Sequence, residues 1–476
     1  MSIEYRKMAS IKSASEFSNY ASSINLNIPI DEKIETGDNA PLRQTVTING
    51  KTIGNRFCVL PMEGWDCPGG HPSDFTRRRW KNFGISGAKL IWGAEAAATR
   101  DDGMSNPGQL RISEATLSEI AEMREMLCSS HKERFETSDD LYVGLQLTHS
   151  GRFSKPHDNS KHEPVIAYRH PILDRRLGLS SDYPVLSDSQ ISKIRDDFIK
   201  AAVLAEKAGF DFVDVKHCHG YLGHELLSAV ERPGIYGGSF ENRTRFLREI
   251  IEGIKSQSPR LEIGVRISMF DFVPFKKGTD NVGIPESFDG KIYPYAFGGD
   301  GSGLGIDMTE TVMLLDVLEK LGVKLICTSA GSPYYNPHIQ RPAMFPPSDG
   351  YLPPEDPLAG VARQISALAE LKKKKPSMIF IGAAYTYLQE WLGNVTQALV
   401  RQNMTDFASI GRMVLPYPDI VSDIIEGRPL QKNRICRTFS DCTTAPRKGI
   451  ISGCYPLDNF YKKMPEYEKL KEAKKN

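Results

Sequence analysis

A closed (β/α)8 barrel is the fold that this 476-residue sequence predicts, and three observations predict it. Short apolar strands alternate with amphipathic helices eight times over roughly 370 residues, which suits a barrel better than an open sheet. The second-ranked fold, a doubly wound sheet, would show a glycine fingerprint after its first strand, and none stands there. Finally, the strand over 212–216 ends in Lys216, His217, Cys218, His219 and Tyr221. Such a crowd of proton- and charge-holding groups at one strand end is poorly explained by folding alone, and the carboxyl ends of barrel strands are where chemistry sits.

In chain order, residues 1–41 are polar, with a short helix opening at Ser13 and Glu16 in capping-box spacing. They read as an extension on the outside of a domain. LRQTVTINGKTIGNRF (42–57) alternates and turns at Asn49-Gly50, a hairpin. Strands follow at 57–62, 88–92, 142–147, 212–216, 263–268, 324–328, 378–381 and 407–410. Between them lie helices such as 192–208, where Ile194, Phe198, Ala201, Ala202 and Ala205 share a face, and 361–371. The barrel thus spans 42–428 and a tail spans 429–476. Two long loops, 152–188 and 269–307, fall on the carboxyl face of the barrel. The second holds AFGGDGSGLG and does not run from a strand into a helix as a phosphate cradle does. It reads as a mobile lid or substrate-side cap, or as a plain surface loop. KKKK at 372–375 reads as a solvated helix end.

Lys plus Arg is 60 against 59 for Asp plus Glu, so no bulk field draws the chain to nucleic acid or an anionic membrane. No apolar run approaches the ~18 residues of a membrane span, and MSIEYRKMAS lacks a signal-peptide core. The expectation is a cytoplasmic protein acting on a small molecule, with a homo-oligomer left open. Eight cysteines make no disulfide scaffold in a chain this long. Cys58, Cys67, Cys128, Cys218 and Cys327 read as scattered reduced thiols.

HGYL (219–222), YGGSFENRTRFL (236–247), NRFCVLPM (55–62), GLQLTHSGR (144–152), VRIS (265–268), FIGAA (380–384) and SIGR (409–412) together resemble the old yellow enzyme family of NADH:flavin oxidoreductases, over about residues 42–425. The resemblance implies non-covalent FMN, with NADH or NADPH delivering hydride to flavin N5 and the flavin passing it to the β-carbon of an electron-poor alkene. Pro61 and Met62 would touch the flavin through their backbone. Glu63 stands where the family usually has the Thr or Cys that tunes it. Gly93 and Ala94 match small residues that let the ring lie close, or serve only tight packing. Gln146 would meet the flavin pyrimidine, since an amide both donates and accepts. Arg266 would stabilise the anionic reduced flavin near N1. Gly382, Ala383 and Gly411, with Arg412, would hold its phosphate.

By the same resemblance Lys216 and His219 would hold the activating oxygen of the substrate, and Tyr221 would protonate the α-carbon. Lys216 departs from the usual His, acts as a point charge and would favour an anionic substrate group. His217 should face away from Lys216 by strand alternation. The two departures, Glu63 and Lys216, are expected to form an ion pair. The alternatives are a polar network supporting Glu241, Arg243 and Arg245, a Schiff-base lyase built on Lys216, and an FMN-binding module without ene-reductase activity. In the tail, Cys436, Cys442 and Cys454 resemble a degenerate form of the 4Fe–4S motif of 2,4-dienoyl-CoA reductase-like members, with Phe439 at the second ligand position and Cys442 one position early. No cluster and no metal site are expected, nor room for the FAD and NAD domains of those longer enzymes.

Overall fold

The computed structural model describes residues 5–475. Residues 1–4, part of the stretch read as lacking a signal-peptide core, lie outside the described residues. Eight parallel strands form the predicted barrel: Phe57–Val59, Leu90–Ile91 continued by Ala96–Ala98, Tyr142–Thr148, Phe212–His217, Glu262–Ser268, Leu325–Ser329, Ile379–Gly382 and Phe407–Ile410. The last pairs with the first at Ala408 and Phe57, closing the ring.

Two strands differ from the sequence reading. The first stops at Val59, ahead of Pro61, which has no N–H to give a ladder. The second breaks after Ile91, because Gly93 (φ +99°) and Ala94 (φ +43°) turn through the left-handed region before pairing resumes between Ala96 and Gln146. A side chain at Gly93 would strike the Gln146 backbone, 2.7 Å from its N. The break is therefore tied to the close approach of these two strand ends.

Helix starts follow their caps. Asp188–Lys207 begins four residues before the expected 192 because Ser187 and Gln190 form a capping box. Pro357–Lys374 begins at Pro357 because the Asp356 carboxylate accepts from Leu358 N. The 372–375 lysines are not a uniformly solvated end. Lys372 is buried, 2.7 Å from an Asp406 oxygen, while Lys375 pairs with Glu319 at 2.9 Å.

The amino-terminal mouth of the barrel is plugged. Val46–Ile48 and Lys51–Ile53 form the expected hairpin through Asn49 (φ +46°) and Gly50 (φ +84°). Its Ile48 and Ile53 join Cys58, Leu90, Phe212, Leu325, Ile381 and Phe407 in an apolar cluster inside the ring. Upstream, Ser13 caps Ala14–Ser23 by accepting from Glu16 N, but the Glu16 carboxylate turns to Lys12 N rather than closing the box on Ser13. The extension does not merely lie outside: Met8, Ile11, Phe17 and Ala21 are buried in the main core. The loop over 269–307 carries a small hairpin, Phe275–Lys277 with Gly283–Pro285, and buries Phe270, Phe272 and Phe297.

At the other end of the chain, Asp441–Arg447, Asn459–Lys462 and Glu466–Ala473 fold around Ala445, Tyr455, Tyr461 and Leu470. The Arg78 guanidinium ties this tail to the barrel, stacked 4.3 Å from the Phe460 ring centroid and paired with Asp458 at 2.9 Å.

Buried histidines give this fold an acid limit. His131 Nδ1 lies 2.7 Å from the Gly84 carbonyl oxygen and Nε2 lies 2.9 Å from Lys89 Nζ, so the ring is neutral with its proton on Nδ1. Burial, helped by Lys89, pulls its pKa from 6.5 to about 4, and burial alone does the same to His217. The unfolded chain takes up protons first as pH falls. This contribution is therefore complete above pH 6.5 and is lost as pH drops through 4. The unfolding free energy should fall by about 1.4 kcal/mol per pH unit for each such histidine within that window. Urea melts at pH 7 and pH 5 should show a shallower loss in His131→Asn, and an unchanged slope would exclude His131 as a source.

Candidate active site

A cleft of about 240 Å³ opens at the carboxyl ends of the strands. Pro61, Met62, Glu63, Gln146, Lys216, His219, Tyr221, Arg266, Ala383, Gly411 and Arg412 all line it. Ala94 and Gly382 stand just behind, Ala94 through its carbonyl, which accepts from Met62 N at 3.1 Å. Neither long loop, 152–188 nor 269–307, reaches the cleft. Its outer wall is built instead by Tyr334, Gln340 and Arg341 after the sixth strand and by tail residues including Cys442, Thr443, Arg447 and Cys454. A lid or cap over this cleft from 269–307 is thus not what the fold provides.

The floor is organised by Asp214, which the sequence reading passed over. One carboxylate oxygen accepts from Trp92 Nε1 at 2.8 Å and Gln146 Nε2 at 2.5 Å, and the other accepts from Arg266 N at 2.7 Å. Burial raises the Asp214 pKa, and the Gln146 and Trp92 donors oppose that rise. Four consecutive strands are joined through one carboxylate. Gln146 is left with its carbonyl and second N–H to offer to the cleft.

At the end of the fourth strand, alternation turns Lys216 inward and His217 outward, where His217 packs toward Phe246, 6.0 Å between ring centroids. Lys216 Nζ lies 3.4 Å from Glu63 Oε1, so the two departures from the family pattern meet as an ion pair. Glu63 Oε2 also accepts from Trp65 Nε1 at 2.8 Å and Ser105 Oγ at 3.4 Å. The same ammonium stands 4.0 Å from the Tyr221 ring centroid, a cation–π contact. The loop carrying Glu63 is held from below by Arg79, which bridges Asp66 and Glu95, and Glu95 accepts from Gly64 N at 2.7 Å. Burial pushes the Glu95 carboxyl up to about 7, against the pull of Arg79.

His219 Nε2 is 2.8 Å from Ser329 Oγ and 3.3 Å from the Gln340 amide nitrogen, which can only donate. Nε2 is therefore the acceptor and the proton sits on Nδ1, which has no partner among the described residues. Burial, with Arg266 and Lys216, holds the His219 pKa well below its usual value, so the ring is neutral. The Tyr221 and Tyr334 hydroxyls are 2.8 Å apart, and burial with the nearby Glu63 carboxylate keeps Tyr221 protonated. The cluster does not prop the following helix: Arg243 pairs with Glu310 and Arg245 donates to Ile235 O. Trp65, Ser105, Tyr334 and Gln340 had no sequence signal beyond lying after strand ends.

The residues fit an FMN of the kind the resemblance implies. Arg266 Nε and Arg412 Nη1 are buried without a partner, one near the floor and one at the loop after the last strand. Gly411 leaves its backbone open there, with Met62 Sδ the nearest atom to a side chain at 3.4 Å, whereas Gly382 is covered by Tyr385, whose hydroxyl a side chain would strike at 2.0 Å. The tail carries three thiols, Cys436, Cys442 and Cys454, where a 4Fe–4S cluster takes four, and Phe439, at the second ligand position, stacks on Phe345 at 5.5 Å. Among the described residues no group of three His, Cys, Asp or Glu is arranged to hold a metal ion.

A family model described as "NADH:flavin oxidoreductase / NADH oxidase family" matches residues 41–286. The chain is similar to the NADPH dehydrogenase of Bacillus subtilis, 27% identical over 293 residues, which is 60% of this chain and 72% of that protein. Among solved structures, 2-naphthoyl-CoA reductase in complex with 2-naphthoyl-CoA matches at a TM-score of 0.64 and 16% identity, over 90% of this chain and 58% of that one. An old yellow enzyme homologue from Zymomonas mobilis matches at 0.55 and 20% identity, over 82% of this chain and 94% of that one. At these identities both structures speak for the fold alone, and the chain spans little more than half the length of the first.

The Glu63–Lys216 pair can be tested without any ligand. Removing one buried partner strands the other, so Glu63→Gln should cost about 3 kcal/mol of stability. Glu63→Gln combined with Lys216→Met should recover most of that in a double-mutant cycle read by urea unfolding. An additive cycle would mean that the two heads do not interact in solution.

Proposed function

Because the chain belongs to the NADH:flavin oxidoreductase / NADH oxidase family, we propose that this cleft reduces the C=C bond of an electron-poor alkene. The enzyme is an NAD(P)H:flavin oxidoreductase that uses FMN. The finer reading rests on one observation: a neutral His219 with Nδ1 free and the protonated Tyr221 hydroxyl line the same cleft as the partnerless Arg266 and Arg412 nitrogens. No iron–sulfur cluster takes part in this reading.

Bound FMN supplies the hydride relay from NAD(P)H to the β-carbon of the acceptor. His219 donates Nδ1–H to the oxygen that activates the double bond and stabilises the charge that builds there. The Lys216 ammonium adds positive potential at the same end, tempered by Glu63. Tyr221 gives its proton to the α-carbon as a general acid, and the Tyr334 hydroxyl at 2.8 Å is placed to return one. Gln146 and Arg266, held by Asp214, orient the cofactor from the floor, and Gly382, Ala383, Gly411 and Arg412 hold its phosphate.

The Glu63–Lys216 pair favours one second reading, a flavin enzyme whose altered pocket no longer accepts alkenes. A Schiff-base lyase is set aside, since the Lys216 ammonium is engaged by Glu63 and the Tyr221 ring.

Anaerobic stopped-flow with a simple cyclic enone separates the readings. We expect flavin reduction by NADPH followed by enone-dependent reoxidation. Tyr221→Phe should slow only the second step, by about 10²–10⁴-fold. Reoxidation by oxygen but by no enone would favour the second reading, and an unchanged Tyr221→Phe would remove Tyr221 from the proton step.

A further inference from the structure

Besides Arg78, Arg79 and the floor residue Arg266, three arginines line the cleft, Arg341, Arg412 and Arg447. The chain as a whole is nearly neutral, 60 basic against 59 acidic side chains, so this concentration is local. Arg447 is already satisfied, with Nη1 3.0 Å from both Asp349 oxygens and Nη2 3.3 Å from Pro333 O. Arg412 donates to Pro342 O at 3.1 Å, and its partnerless Nη1 belongs with the Gly382 and Gly411 loops.

Arg341 is different. Its Nη1 donates to Thr443 Oγ1 at 2.6 Å, its Nη2 is buried with no partner, and it forms no ion pair among the described residues. Burial, with Arg447 and Arg412 beside it, pulls its pKa from 12.5 to about 9. A shielded guanidinium among like charges and without a carboxylate destabilises a fold unless an anion joins it. Two N–H groups of one planar fork, one used and one free, are suited to a carboxylate or phosphate edge.

The position of Arg341 indicates which molecule would bring that anion. Its neighbour Gln340 reaches His219 at 3.3 Å, while Arg341 itself reaches Thr443 of the tail. Arg341 therefore stands between the group that would hold the acceptor's activating oxygen and the tail that walls the cleft. Lys216, the cation first expected to select an anionic substrate, is already paired with Glu63. We propose that Arg341 binds an oxyanion of the acceptor itself, a carboxylate or phosphate separate from the group that activates its double bond. This rests on the alkene-reductase reading for the identity of the acceptor, but not for the binding of the anion.

The test uses the FMN-loaded enzyme, a cyclic enone carrying a ring carboxylate, and its methyl ester. Binding to the oxidised enzyme is followed by the visible difference spectrum, turnover by NADPH oxidation, and FMN affinity by fluorescence titration. In the wild type the acid should bind at least tenfold more tightly than the ester. Arg341→Gln should weaken the acid by about 10- to 100-fold and leave the ester, the FMN affinity and the ratio of NADPH to NADH turnover unchanged. Arg341→Lys should keep part of the acid preference, and it serves as the readout if the Gln variant does not hold its fold. A matching loss of FMN affinity would assign the anion to the cofactor phosphate, and a changed ratio of NADPH to NADH turnover would assign it to the nicotinamide cofactor. Either result, or equal binding of acid and ester by the wild type, overturns the proposal. If the acid binds as expected but neither compound is reduced, the alkene-reductase reading fails while the anion site stands.

Discussion

A single buried carboxylate sets the geometry of this active-site floor. Asp214 lies inside the barrel, where an ionised group is tolerated only if donors surround it. Trp92, Gln146 and the Arg266 backbone supply them from three other strands. Room for the Trp92 indole comes from Gly264, where a side chain would come within 2.7 Å of the ring. The arrangement fixes Gln146 and Arg266 relative to each other before any ligand enters, so the floor is preorganised rather than assembled by the cofactor. Placing a charge there has a cost, but distributing it over four strands converts that cost into register.

Above the floor, two departures from the family pattern are best understood together. A lone Glu63 at the first strand end would place a negative charge beside the cofactor, and a lone inward Lys216 would be a buried cation. Meeting at 3.4 Å, they leave that end near neutral and hold the ammonium over the Tyr221 ring. In the alkene-reductase reading proposed above, the directional work of holding an acceptor oxygen then falls to His219, whose Nε2 is committed to Ser329 and Gln340.

Much of this was legible in the sequence because barrel strands and their carboxyl ends have local signatures. All eight strands, the hairpin at Asn49-Gly50, the inward Lys216 and outward His217 follow from alternation and turn chemistry. Helix starts were misplaced where the cap lay outside the apolar stripe, as at Ser187 and Asp356. Asp214 was unreadable because an acid in an apolar strand gives no hint of which distant donors will surround it. Lys372 in the KKKK run was unreadable for the mirror reason: its partner Asp406 lies 34 residues on. The walls were hardest, since Tyr334, Gln340 and Arg341 come from an irregular connection with one short helix, Pro337–Gln340, and of the two readings of 269–307, cap or surface loop, the cleft lining leaves the surface loop.

The tail makes the same point about where specificity can arise. Its Cys436 and Cys454 are buried and Cys442 half-buried, and it is held by polar contacts: Ser440 Oγ to Phe345 O at 2.6 Å, Asn159 Nδ2 to Pro446 O at 2.9 Å, and Arg437 to Glu390 at 2.6 Å. These contacts fall on the segment after the sixth strand, on the loop after the third and on the turn after the seventh. The tail thus closes the cleft by joining three strand-end connections, and Thr443, which meets Arg341, is carried on that closure. The floor residues Trp92, Gln146, Asp214 and Arg266 come from the segment that matches the family, 41–286, while the loops at Gly382 and Gly411 lie beyond it. The outer wall comes from residues 334–341 and 442–454, beyond the matched segment 41–286. A barrel can therefore keep one redox floor and change what it accepts by changing only the wall, because the two share almost no residues.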